Sequence, residues 1–164
     1  MLKEEFRSSP AKNLSFDDEF IEVLLTTQYN SPDCFSVLSL IYFHLKFGDQ
    51  ACHIDHMHLS SYFRPTATEH PHPEKIKQET FQTVEDFNFA SDPLNWNGIA
   101  NLQLLNGIEN MAKQDKPLEQ WVIDREIDKS NQLIPDGNLK ISDFKTFVEK
   151  RKKLLKEPLK KMVT

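Results

Sequence analysis

Three histidines and an aspartate crowd into His53-Ile54-Asp55-His56-Met57-His58, and His70 and His72 bring five of the chain's six histidines into a twenty-residue window. A histidine titrates close to neutral pH and can take a proton from water. A carboxylate and an amide oxygen are hard ligands that suit Mg2+ or Mn2+ when water and a substrate phosphate complete the shell. Such a cation stabilises charge growing on the phosphate and on the departing oxygen. These are the parts of a one-metal phosphodiesterase. Neighbouring side chains of a strand point to opposite faces, so Asp55 and His56 share a site only if the strand twists or breaks between them. His53 shares a face with Asp55 without distortion and is the rival partner. Downstream, a helix beginning near Asn106 sets Asn110 and Lys113 on one face, where Asn110 could offer an oxygen to a metal and Lys113 an ammonium to a phosphate. An ordinary solvated helix fits the same spacing. Zinc held by Cys52, His53, His56, His58 or the His70/His72 pair is less favoured, because the spacings are too tight for paired-ligand knuckles.

The elements that must position these residues can be read from periodicity. Phe16, Phe20, Ile21, Leu24 and Leu25 predict a helix over 16–28, opened by Ser15 and Asp18. Phe35, Leu38, Ile41, Tyr42 and Leu45 predict another over 34–47, ended by Gly48-Asp49. Residues 51–57 read as a strand. The segment 64–73, with three prolines, excludes regular structure. A helix is predicted over 74–87, a loop over 91–98, a strand over 99–105 (where Leu-Gln-Leu-Leu would also fit the edge of a helix) and a short polar helix over 106–116. Pro117 begins a helix through Trp121 and Ile123. Ser142 is the expected cap of a final helix with Phe144, Phe147, Val148, Leu154 and Leu155 inward and a bend near Pro158. The fold class is therefore α+β, mainly helical, with two short strands that the helices must cover. Residues 1–14 read as a linker or disordered segment and 15–164 as one domain, its core about 50–116 and its basic closing helix about 142–163.

At 164 residues the chain has room for one domain, and no apolar run approaches the length that crosses a bilayer. Two cysteines make no disulfide framework, so a reducing, cytoplasmic setting is expected. The net charge of −5 counts against nucleic acid on average. The average conceals a segregation: residues 145–164 hold eight basic side chains against Glu149 and Glu157. That segment reads either as a solvated helix face or as a phosphate-facing tail.

The ordered series His53-Ile-Asp55-His56, Asn101-Leu-Gln-Leu-Leu, Gly107-Ile-Glu-Asn110-Met-Ala-Lys113 and Pro117-Leu-Glu-Gln-Trp121 resembles the HNH (His-Me finger, ββα-metal) nuclease domain. More closely, it resembles the C-terminal domain of GmrSD-type modification-dependent restriction enzymes and their two-domain relatives in phage defence. The likeness spans roughly residues 20–159 and includes the helix around Cys34 and the basic closing helix. It implies a metal-dependent DNA endonuclease. His56 would be the general base, Asp55 and Asn110 the ligands of Mg2+ or Mn2+, and Asn101 the residue orienting the loop and His56. His53 and His58 are additional candidates. Lys113, Lys150, Arg151, Lys152 and Lys153 are weaker candidates for phosphate contact, assigned from charge and not from the family. The sequence departs from the family at Met57-His58-Leu59, where a proline usually follows, which leaves a catalytically inactive DNA-binding or assembly module as the alternative. The nucleotide-dependent N-terminal domain of the two-domain relatives has no counterpart here. The chain is thus expected to be a fragment of a longer protein, the partner of a separate subunit, or a free-standing nuclease domain.

Overall fold

The computed structural model of the chain describes residues 18–46, 48–64 and 75–162. The expectations for 1–14 and for His70 and His72 lie outside them. The chain is α+β and mainly helical. Helices α1 (Asp18–Leu24) and α2 (Cys34–Ile41) lead to strand β1 (Cys52–His56) and the single turn α3 (Ser60–Phe63). Then come α4 (Val84–Ser91), α5 (Pro93–Trp96), β2 (Leu102–Asn106), α6 (Gly107–Lys113), α7 (Leu118–Asp124) and the long α8 (Phe144–Lys161).

β1 and β2 form an antiparallel pair in which Cys52 faces Asn106, Asp55 faces Gln103 and His56 faces Leu102. Asn106 ends β2 and starts α6, its Oδ1 accepting from the Glu109 N–H at 2.9 Å. An asparagine at this position satisfies an N–H that the first turn leaves free, so the chain reverses without a loop. α6 therefore packs back along the strands that precede it.

Several boundaries differ from those read off periodicity. α2 stops at Ile41, and its buried stripe is Cys34, Val37, Leu38 and Ile41, while Phe35 is largely exposed. The segment expected as one helix over 74–87 splits into a 3-10 turn at Gln78–Thr80 and α4. Thr83 supplies the reason, since its Oγ1 accepts from the Asp86 N–H at 3.0 Å and starts a helix there. Asp92 caps α5 within the expected loop, its Oδ1 accepting from Leu94 N–H ahead of Pro93-led helical geometry. Ile99–Asn101 form a 3-10 turn, so the strand expected over 99–105 begins only at Leu102. Ser142 lies in a 3-10 turn and is not the cap of α8; Asp143 takes that position without a side-chain bond.

α8 is the central helix of the core. Phe144, Phe147, Val148, Arg151, Leu155 and Leu159 recur at helical spacing and are buried against α1, α2 and α4. It runs through Pro158 to Lys161, with Leu154 only half-buried. Among the described residues no helix is long and apolar enough to cross a membrane.

Candidate functional site

Asp55 and Gln103 are paired across the strands, so their side chains leave the same face of the sheet. Gln103 Nε2 donates to Asp55 Oδ2 at 3.0 Å. Lys113, in the last turn of α6, sets its Nζ 2.9 Å from the same oxygen and donates to the His56 carbonyl at 2.7 Å. The lysine side chain is 1% exposed and the aspartate 17%. Burial draws the Lys113 pKa down, and the adjacent Asp55 charge opposes that. Lys113 is thus a structural cation that ties α6 to the end of β1, and not the exposed phosphate contact expected from its charge.

The helical repeat lays Gly107, Asn110 and Lys113 along one stripe of α6. At one end of that stripe a Cβ on Gly107 would come 4.0 Å from His53 Nε2. At the other end Lys113 holds Asp55. Asn110 falls between them, so His53, Asn110 and Asp55 belong to one seam between β1 and α6. Among the described residues, Asp55 Oδ1 receives no hydrogen-bond donor and the buried Gln103 Oε1 has no hydrogen-bond partner. These are hard oxygen donors of the kind Mg2+ takes in small number when substrate and water fill the rest of its shell. No three His, Cys, Asp or Glu side chains converge among the described residues, so neither an acidic cage nor a zinc knuckle is formed there.

β1 stays paired through His56, so the break that would let Asp55 and His56 share a site is absent and the two side chains leave opposite faces, with His53 on the Asp55 side. The imidazole is held from three sides. Its Nε2 lies 2.9 Å from Asn97 Oδ1, the Tyr29 ring centroid is 4.8 Å away and the Trp96 ring 6.3 Å away. An amide oxygen accepts, so Nε2 carries the proton and Nδ1 keeps the lone pair that a base needs. Burial lowers the His56 pKa; the Asn97 bond and the Asp55 charge oppose this, while the charges of Arg64 and Lys113 add to it.

Asn97 was not legible as a site residue, and local backbone structure explains its position. Thr27–Tyr29 and Asn97–Ile99 run against each other: Tyr29 N–H donates to Asn97 O at 2.8 Å, and Ile99 N–H to Thr27 O at 2.9 Å. Gly98 fits the tight turn that presents Asn97, since a Cβ there would lie 2.7 Å from the Leu94 carbonyl oxygen. One bridge therefore delivers both the Tyr29 ring and the Asn97 amide to His56.

Asn101 is fully buried and uses both ends of its amide. Oδ1 accepts from His58 N–H at 2.9 Å, while Nδ2 donates to His58 O at 2.9 Å and Trp96 O at 2.8 Å. It clamps the chain just past His56 to the turn that carries Trp96. His58 itself is buried edge-on between Phe144 and Phe147, which pushes its pKa down to about 3. It is a neutral core histidine and does not reach the seam.

The basic closing helix is also placed differently from a free cationic tail. Arg151 is fully buried and donates to the carbonyls of Leu133, Ala100 and Leu102 and to Tyr42 Oη. Lys145 pairs with Glu85, Lys156 with Glu22 and Lys160 with Asp18. Lys150 donates to the Asp136 carbonyl, and Lys152 and Lys153 are exposed. The expectation that Arg151 meets phosphate is therefore corrected. Its charge is spent on main-chain oxygens of the core. No family model matches the chain, and no curated protein matches its sequence.

Proposed function

We propose that the chain is a metal-dependent DNA endonuclease of the ββα-metal type, the nuclease part of a modification-dependent restriction or phage-defence system. The observation that supports it best is His56: a buried imidazole at the end of β1 whose Nε2 is held by Asn97 Oδ1, which leaves Nδ1 as the nitrogen with the lone pair. Asn101 holds the following backbone, and the antiparallel pair runs directly into the helix that carries Asn110.

His56 Nδ1 takes a proton from water as the water oxygen bonds to phosphorus, and the bond to the departing sugar oxygen breaks. Tyr29, Trp96 and Asn97 keep the ring oriented through this transfer. Asp55 and Asn110, with His53 at the same seam, would hold Mg2+ or Mn2+, which when bound supplies charge stabilisation for the phosphate and the leaving oxygen; this role requires β1 to twist at its end, because Asp55 and His56 leave opposite faces there. Lys113 keeps Asp55 in place by occupying only Oδ2.

The test is plasmid nicking in Mg2+ or Mn2+ by the wild-type chain and by His56→Ala. Loss of nicking with an unchanged circular-dichroism spectrum supports the reading; equal nicking by both proteins sinks the role of His56. A second reading, a DNA-binding module without activity, is favoured by one observation: Asp55 already has a buried ammonium as its counter-charge. Retained DNA affinity with neither cleavage nor Mn2+ binding in a titration would select it.

A further inference from the structure

A row of ring contacts runs through His56. Phe63, the last residue of α3, stacks on Trp96 with centroids 5.9 Å apart and planes 4° from parallel. Trp96 flanks His56 at 6.3 Å, and His56 lies 4.8 Å from Tyr29 with the two planes tilted by 41°. These spacings fall in the range over which aromatic rings attract each other. Access to water rises only at the far end of the row: Phe63 is 4% exposed, Trp96 7% and His56 8%, against 36% for Tyr29. The first three rings are enclosed, and Tyr29 ends the row at the surface. Its main chain sets it there, the N–H donating to Asn97 O at 2.8 Å while the adjoining Gln28 bridges to Gly98. Among the described residues the Tyr29 hydroxyl has no hydrogen-bond partner, and no ring except His56 meets its own. Orienting His56 uses one side of the tyrosine and leaves the rest of it open.

We propose that Tyr29 is the stacking platform for an unpaired nucleobase of the substrate strand, next to the phosphate that His56 acts on. This rests on the nuclease reading above. A nucleobase is flat and presents a π face whatever its identity, so it extends the row of rings by one member without selecting a sequence. A base inside a duplex is already stacked on its neighbours, so the substrate here is single-stranded or locally opened DNA. One sugar joins a base to its phosphate, and a base resting on Tyr29 therefore keeps that phosphate in the neighbourhood of the imidazole.

The experiment compares wild type, Tyr29→Phe and Tyr29→Leu in binding two labelled single strands in EDTA. One is a short DNA oligonucleotide, and the other is a sugar–phosphate strand of equal length and charge that lacks its bases. Tyr29→Leu should weaken binding of the base-bearing strand by about five- to a hundredfold and leave the abasic strand unchanged. Tyr29→Phe keeps the ring and should recover the affinity. A merely structural role for Tyr29 would weaken both strands alike. Equal loss on the two strands, or no loss on either, overturns this inference, while plasmid nicking by wild type keeps the nuclease reading standing. A wild-type chain that neither binds the base-bearing strand nor nicks plasmid overturns both.

Discussion

Lys113 and Asp55 form an ion pair of 2.9 Å in which the two partners differ in access to water, the lysine side chain being 1% exposed and the aspartate 17%. The same Nζ also reaches the His56 carbonyl, so one buried cation fixes the backbone of one candidate catalytic residue and the side chain of its neighbour. Removing a partner from a buried pair costs about 3–5 kcal/mol because the other charge is stranded. The asymmetry decides which removal is worse.

Asp55→Ala strands an ammonium with no route to solvent, whereas Lys113→Met leaves a carboxylate that can hydrate. Urea unfolding at neutral pH should therefore show Asp55→Ala as the more destabilised variant, with Lys113→Met near the lower end of that range, about 3 kcal/mol. The Lys113 pKa is already lowered by burial, so in Asp55→Ala the ammonium should lose its proton more readily, and stability should recover as pH rises. Equal losses in the two variants, with no recovery at alkaline pH, would contradict this account of the pair.

Asn97 both orients His56 and raises its pKa against the lowering caused by burial. Asn97→Leu should therefore move the imidazole titration, followed by NMR, to lower pH than in wild type. The acid limb of the nicking rate should shift the same way, because the base is neutral over a wider range. The rate on the plateau should nevertheless fall by about 10- to 100-fold, since the ring loses the acceptor that fixes its tautomer. An upward titration shift would show that the Asn97 bond does not favour the imidazolium.

Gly98→Ala tests the bridge that delivers Asn97. Its Cβ would meet the Leu94 carbonyl at 2.7 Å, a backbone atom that cannot swing aside. The 97–99 segment should shift, costing about 1–3 kcal/mol by overpacking and weakening the His56 bond with it. The readouts are thermal melting and the same NMR titration, which should move toward that of Asn97→Leu. A stable variant with an unmoved titration would separate Gly98 from the positioning of His56.

How much of this was legible in the sequence follows from how local each cause is. The strand at 51–57, the helix after Asn106 and the inward stripe of Phe144, Phe147, Val148 and Leu155 are written in short-range periodicity and caps, and they appear nearly where expected. Thr83 and Asp92 were equally local signals: each caps a helix, and the first splits the segment expected to be continuous. The role of Asn97 had no local signature, because it depends on Thr27–Tyr29, far away in the chain. The ion pairs of the basic helix had no local signature for the same reason, while its Lys152 and Lys153 remain exposed. Glu85, Glu22 and Asp18, which neutralise three of its lysines, lie more than fifty residues from them in sequence, at separations of 60 and 134 for the first two pairs.

His58 makes stability pH-dependent apart from any catalysis. Its ordinary pKa is 6.5 and its folded value is about 3, so between those limits the unfolded chain binds a proton that the folded chain refuses. Stability should fall as pH drops below about 6.5, by up to about tenfold in the folding constant per pH unit, until about pH 3. His58→Gln should flatten that limb in urea titrations at successive pH values. An unchanged limb in the variant would assign the acid sensitivity to other groups.

Arg151 separates the structural from the nucleic-acid reading of α8. It serves three main-chain carbonyls and the Tyr42 hydroxyl, and Tyr42 Oη in turn donates to Gln132 O at 3.0 Å. Arg151→Met strands those acceptors where water cannot replace the donor, at about 1–3 kcal/mol for each group left unsatisfied. The variant should be strongly destabilised in urea or fail to fold. Arg151→Lys retains the charge but cannot span four acceptors, and should recover only part of the loss. Since the guanidinium never meets solvent, any folded Arg151 variant should keep the wild-type slope of log Kd against log salt on duplex DNA. A slope reduced by about one, at unchanged stability, would return Arg151 to the DNA-facing surface and overturn its place at the centre of the core.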